Sequence, residues 1–196
     1  MFPDNKLVLA TRNAGKVAEM ESLLEGHGIL VTSAAALDLP EVEETGDTFE
    51  ANALLKAQSA VKASGLAVLA DDSGLSADAI GGAPGVYSAD WGGPERDFSL
   101  AMARLEREVR DAGDNRSAGF VSVLILLWPD GRQIMTRGEV RGHLVFPPRG
   151  AGGFGYDPCF VPEGDECTFA EMPPLDKAKF SHRSRAMEKL LTELFA

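Results

Sequence analysis

Residues 118–128 read AGFVSVLILLW, the longest strand candidate in the chain, and the turn signal Pro129-Asp130-Gly131-Arg132 follows directly. An apolar run bounded in this way predicts a buried strand. Gln133 to Phe146 reads as the returning strand, so the chain is committed to one long hairpin. The run falls well short of the roughly 18 apolar residues needed to span a bilayer, as does every other apolar stretch.

Shorter apolar runs alternate with helical spacing around this hairpin. Lys6 to Ala10 (KLVLA) predicts a buried strand, and Thr11 to Lys16 (TRNAGK) a turn. Val17, Met20, Leu23 and Leu24 then recur at helical spacing, with an end near Gly26 and Gly28. Ile29 to Thr32 predicts a second strand, and 37–46 an acidic loop. Asp47 with Glu50 three residues on resembles a capping box that opens a helix through FEANALLKAQSAVKAS, terminated by Gly65. Leu66 to Ala70 reads as a buried strand ending at the turn Asp71-Asp72-Ser73-Gly74, and Leu75 to Ile80 as another strand. Pro94 is expected to start a helix through SLAMARLEREVRDAG. Ser181 to Phe195 predicts a last helix, with Ala186, Leu190, Leu191 and Leu194 on its apolar side. The expected fold is therefore α/β, with a long mixed sheet flanked by helices. A length of 196 residues suits one domain, or one domain with two lobes.

Charge narrows the partners. The net charge of −11 is a poor basis for a general nucleic-acid surface or an anionic membrane surface. The excess is uneven, because residues 37–90 hold ten acids against two bases, net −8. A solvated acidic face is one reading of that stretch, and a cation site is the other. Two cysteines, Cys159 and Cys167, allow no disulfide framework and no four-cysteine zinc site, and are expected to pack as small hydrophobes. The apolar part of the first residues is too short for a signal peptide, so a reducing cytoplasm is the default expectation.

Five stretches carry chemistry. In Thr11-Arg12-Asn13-Ala14-Gly15-Lys16 a strand gives way to a helix, whose first N–H groups favour a phosphate, and Lys16 adds a full charge. The spacing is not that of a Walker A loop, and an ordinary strand-to-helix turn is the alternative. The adjacent carboxylates of Asp71 and Asp72 after a buried strand are costly without a cation or basic partners, and hard cations such as Mg²⁺ prefer such oxygens. Glu41, Glu43, Glu44 and Asp47 would complete a metal site if brought beside Asp72, and otherwise are surface acids. Gly150 to Gly155 matches G-x-G-x-x-G, but Tyr156-Asp157-Pro158 leaves no room for the helix of a dinucleotide fold. What remains is a loop whose Phe154 and Tyr156 offer an aromatic face to a base or anchor the loop to the core. Lys177, His182 and Arg183 place donors around a helix start capped by Ser181.

Taken in order, ATRNAGK (10–16), EETGDTFEANALLKA (43–57), ADDSGL (70–75), GGAPGVYSA (81–89), GGFGYDP (152–158) and SHR (181–183) resemble the inosine/xanthosine triphosphate pyrophosphatases. The resemblance spans nearly the whole chain. Arg12 and Ala51 depart from it. It implies one pyrophosphatase domain over 1–196 with two lobes and the active-site cleft between them. It also implies a homodimer, Mg²⁺ dependence, and hydrolysis of ITP, dITP and XTP to monophosphate and pyrophosphate. By motif, Thr11, Arg12, Asn13, Ala14, Gly15 and Lys16 would bind substrate phosphates. Asp72 would be the general base and a metal ligand, Ser73 would contact substrate, and Glu43 would be the second metal ligand, with Glu41 and Glu44 beside it. Phe154, Gly155, Tyr156, Asp157, Lys177, His182 and Arg183 would hold the nucleotide, with His182 and Arg183 as donors to a 6-oxygen. Lys16, Lys56 and Lys177 would stabilise the leaving pyrophosphate. A pyrophosphatase for pyrimidine nucleotides and a non-catalytic nucleotide-binding protein are the competing classes.

Overall fold

The computed structural model describes residues 5–196. Its strands are β1 (Lys6–Leu9), β2 (Leu30–Ser33), β3 (Val68–Ala77), β4 (Ser117–Leu127), β5 (Gln133–Leu144) and β6 (Phe160–Pro162). Its helices are α1 (Ala14–Leu24), α2 (Phe49–Ser64), α3 (Phe98–Asp111), α4 (Pro174–Lys177) and α5 (His182–Phe195). The six strands form one sheet in the order β2-β1-β3-β4-β5-β6. β1 runs parallel to β2 and β3, and β5 antiparallel to β6, so the sheet is mixed as expected. Among the described residues no helix is long and apolar enough to cross a membrane.

The chain divides into two compact units. Of the described residues, the first comprises 5–72, 122–138 and 183–196. Its core is built by Leu7 and Leu9 of β1, Met20 and Leu24 of α1, Leu69 of β3, Leu124 and Leu126 of β4, and Ala186, Met187 and Leu190 of α5. Asn13 starts α1 by accepting the Lys16 N–H at 3.1 Å, which fixes where the helix begins relative to β1. Gly65, at φ +67°, ends α2 in the left-handed conformation that glycine adopts without cost.

The second unit comprises residues 73–121 and 139–182. Its core is more aromatic, with Phe120, Tyr156, Phe160 and Phe169 packed on Leu75, Val140, Leu144 and the Ala101, Leu105 and Val109 stripe of α3. Phe120 meets Phe160 edge-on at 4.9 Å between ring centroids, the arrangement that ring quadrupoles prefer.

Four expectations need correction. Asp71 to Gly74 is not a turn: one strand, β3, runs through it from Val68 to Ala77. Buried partners distant in sequence hold Asp71 in an extended chain, and that overrides local turn preference. The cap of α2 is Thr48, whose Oγ1 accepts the Ala51 N–H at 3.1 Å, and not Asp47. Helix α3 starts at Phe98 and not at Pro94, because Arg96 adopts φ +51° and Asp97 caps the helix by accepting the Ser99 N–H at 2.8 Å. Cys159 packs as a small hydrophobe, but Cys167 is exposed. The short elements β6 and α4 had no clear periodic signal, since each is too brief to show one.

The first unit's core should behave as one cooperative cluster. Leu124→Ala removes a fully buried side chain and should cost about 2–5 kcal/mol, read as a lower urea midpoint at unchanged slope. A loss below about 1 kcal/mol would mean that the core collapses around the gap.

Candidate active site

The site in the first unit is organised by two neighbouring aspartates of β3. Successive side chains of a strand point to opposite faces, so Asp71 and Asp72 meet different surroundings. The Asp71 side chain is fully buried. Its Oδ1 accepts the Ser122 hydroxyl of β4 at 2.6 Å. Its Oδ2 meets the Lys16 ammonium at 2.7 Å and the Arg183 guanidinium at 3.3 Å. Arg183, itself 1% exposed, also pairs with Glu19 of α1. Burial opposes ionisation of Asp71, but Arg183 and Lys16 outweigh it and hold the carboxyl well below the usual carboxylate range. Burial acts in the same unit to lower the Lys16 ammonium, with Asp71 opposing.

Asp72 is in a different state. Its Oδ1 accepts from the Lys56 ammonium of α2 at 2.6 Å. Its Oδ2 is buried with no hydrogen-bond partner among the described residues. Glu44 shares the same ammonium at 3.3 Å. Burial pushes the Asp72 carboxyl up to about 6, against the pull of Lys56 and Lys16 and with the help of Glu44. Burial also opposes the charge on Lys56, but Asp72 and Glu44 outweigh it and raise that ammonium. Adjacent carboxyls therefore split into a locked anion and a group that can exchange a proton.

The phosphate-loop residues lie at the entrance of α1. Thr11 Oγ1 accepts the Asn13 N–H at 3.2 Å, Asn13 caps the helix, and Ala14, Gly15 and Lys16 form its first turn. Arg12 is exposed and its guanidinium donates to the Leu39 carbonyl at 2.5 Å, at the start of the acidic loop. Of the three candidate glutamates, Glu44 is the one paired with Lys56 beside Asp72, and Glu43 and Glu44 are both exposed on the loop. Among the described residues no group of three or more His, Cys, Asp and Glu side chains gathers as a metal site. Two carboxylates with an unsatisfied buried oxygen nevertheless fit a hard cation completed by substrate oxygens and water.

Apart from Arg183, the remaining expected residues fall in the second unit. Lys177 is buried, donates to Asp157 at 2.6 Å, and sits 4.9 Å over the Phe154 ring. Asp157 also accepts the Phe154 N–H at 2.9 Å, so loop, ring and ammonium form one group. Tyr156 is 2% exposed and donates its hydroxyl to the Ser88 carbonyl, which makes it the loop's anchor and not an exposed aromatic face. Gly155 turns the chain between them at φ +66°. His182 stacks on Phe120 at 4.7 Å. Arg183 was expected as a donor to a base, and the structure instead commits its guanidinium to Asp71 and Glu19. Ser73 follows Asp72 in β3.

Sequence reasoning missed Glu19 and Ser122. Both left a signal: Glu19 stands three residues after Lys16 on one helix, and Ser122 is the one hydroxyl in the apolar run 118–128.

The Asp71 cluster has a measurable consequence for stability. Its carboxyl is depressed in the folded state, so its contribution is present above the unfolded value near 4 and is lost as pH falls through the folded value. Asp71→Asn leaves Lys16 without its ion partner and Arg183 with Glu19 alone, and should cost about 3–5 kcal/mol at pH 7. The difference from wild type should shrink in acid melts. A pH-independent difference would contradict this assignment.

The Ham1 family profile matches residues 7–193. A dITP/XTP pyrophosphatase of Rhodospirillum centenum is 53% identical over 197 residues, covering 100% of this chain and 97% of that protein. One from Caulobacter vibrioides is 54% identical over 97% of this chain and 98% of its own length. Among solved structures, a HAM1 protein from Coxiella burnetii superposes with a TM-score of 0.88 at 38% identity, over 97% of this chain and 98% of that one. A nucleoside-triphosphatase / dITP/XTP pyrophosphatase from Mycobacterium abscessus gives 0.75 at 43% identity, over 96% and 99%. With the profile matched almost from end to end, the chain belongs to the Ham1 family.

Proposed function

We propose that this chain is a Mg²⁺-dependent pyrophosphatase that cleaves ITP, dITP and XTP to the monophosphate and pyrophosphate, and so keeps non-standard purines out of DNA and RNA. The observation that carries the reading is the split pair on β3, with Asp71 holding Lys16 at a helix entrance and Asp72 beside Glu44 and Lys56. Relatives at about half identity that bear the name dITP/XTP pyrophosphatase support the substrate class. We read residues 1–196 as one such domain, acting as a cytoplasmic homodimer.

Thr11 to Lys16 would receive the triphosphate, with the first N–H groups of α1 and the Lys16 ammonium facing its oxygens. Glu44 and Asp72 would hold the cation, whose chemistry when bound is to neutralise the triphosphate and orient its oxygens. Asp72 takes a proton from the water that attacks the α-phosphorus. The bond from that phosphorus to the bridging oxygen breaks, and pyrophosphate leaves with its charge met by Lys16 and Lys56. Phe154 stacks on the purine, while Asp157 keeps Lys177 in place beside it.

The direct test is product analysis with ITP and Mg²⁺, with an EDTA control. Monophosphate plus pyrophosphate is expected, whereas diphosphate plus phosphate would refute the reading. A panel of dITP, XTP, dUTP and dTTP should show the purines preferred. Asp72→Asn should lower kcat by about 10²–10⁴-fold with nucleotide still bound, and near-wild-type turnover would remove Asp72 from the chemistry. Phe154→Ala should raise KM more than it lowers kcat, and an unchanged KM would remove the stacking.

A further inference from the structure

The acidic loop that carries Glu44 is held by a residue with no assigned part in the reaction. Asn52 lies in the first turns of α2 and is 2% exposed. Its Oδ1 accepts the Gly46 N–H at 2.7 Å. The approach is tight: a Cβ added at Gly46 would lie 2.7 Å from the Ala51 Cβ and 2.7 Å from Asn52 Oδ1. Gly46 is thus the residue that lets the loop backbone rest on the helix, two positions after Glu44.

Asn52 and Lys56 are four residues apart and share one face of α2. That face therefore grips the loop twice, by its backbone at Gly46 and by its carboxylate at Glu44, where Lys56 stands at 3.3 Å. The two grips differ in kind. The Glu44 side chain is 38% exposed, so its ion pair is screened and weak. A cation held by Glu44 and Asp72 would also compete with the Lys56 ammonium for the same oxygens. The bond from Gly46 to Asn52 is neutral, part-buried and untouched by that exchange.

We propose that Asn52 is the positioning residue for Glu44: its side-chain carbonyl anchors the loop through the Gly46 N–H and keeps the Glu44 carboxylate beside Asp72, where the divalent cation is held. The inference rests on the proposed function only through that cation.

The test uses the full chain and three variants, Asn52→Ala, Gly46→Ala and the double variant. Mn²⁺ affinity without nucleotide is measured by electron paramagnetic resonance, ITP kinetics are measured across Mg²⁺ concentrations, and circular dichroism checks folding. Each single variant should weaken Mn²⁺ binding about fivefold to tenfold, the order expected for one hydrogen bond. The Mg²⁺ concentration for half activity should rise by the same factor, while KM for ITP at saturating Mg²⁺ stays within about twofold. The double variant should be no weaker than either single one, because both break one contact. Unchanged Mn²⁺ affinity in the folded variants, or additive losses, would overturn the proposal. Should Asn52→Ala not fold, Gly46→Ala decides alone, since it pushes the loop away with Asn52 intact. Wild type that binds Mn²⁺ but releases no pyrophosphate would defeat the pyrophosphatase reading and leave the positioning role standing. Wild type that releases pyrophosphate, with variants that bind Mn²⁺ as it does, would do the reverse.

Discussion

A buried carboxylate that must be neutralised organises the first unit. Asp71 draws Lys16 from α1, Ser122 from β4 and Arg183 from α5 to a single point on β3. Arg183 in turn takes Glu19 from α1, so the cluster is balanced by two acids and two bases. Breaking a buried set of this kind leaves uncompensated charge, which is why its members are interdependent. Its product is position: Lys16 is held at the start of a helix whose first N–H groups already favour an anion.

The next residue on the same strand can then do something else. Asp71 has absorbed the strongest local cations, and Asp72 is left with Lys56, an orphaned Oδ2 and a neighbouring Glu44. Burial raises its proton affinity toward neutrality, where a group can both accept and release a proton. An extended backbone is what allows this division, since it turns neighbouring side chains to opposite faces. In the second unit Asp157 holds both the Phe154 backbone and the Lys177 ammonium, and Tyr156 ties the glycine-rich loop down.

Much of this was legible in the sequence, for identifiable reasons. The β4–β5 hairpin and helices α1, α2 and α5 have long apolar patterns with clear stops, and they lie where expected. The strand through Asp71 to Gly74 was read as a turn because composition there favours one, and the partners that keep it extended come from three distant segments. Motif spacing brought Lys16, Lys56, Asp72, Asp157 and Lys177 to attention. It pointed to Glu43 among the neighbouring acids, since adjacent acids in a loop carry no periodicity to tell them apart, and the structure pairs Glu44 with Lys56. It did not separate the roles of His182 and Arg183, whose side chains part to a phenyl ring and to an acidic pair.

The proposed chemistry places the attacking water at the α-phosphorus, where Asp72 takes its proton. Hydrolysis of ITP in ¹⁸O-labelled water, followed by mass analysis of both products, reads that choice directly. Label should appear in the monophosphate and be missing from pyrophosphate. Label in pyrophosphate would mean attack at the β-phosphorus and would contradict the proposed role of Asp72.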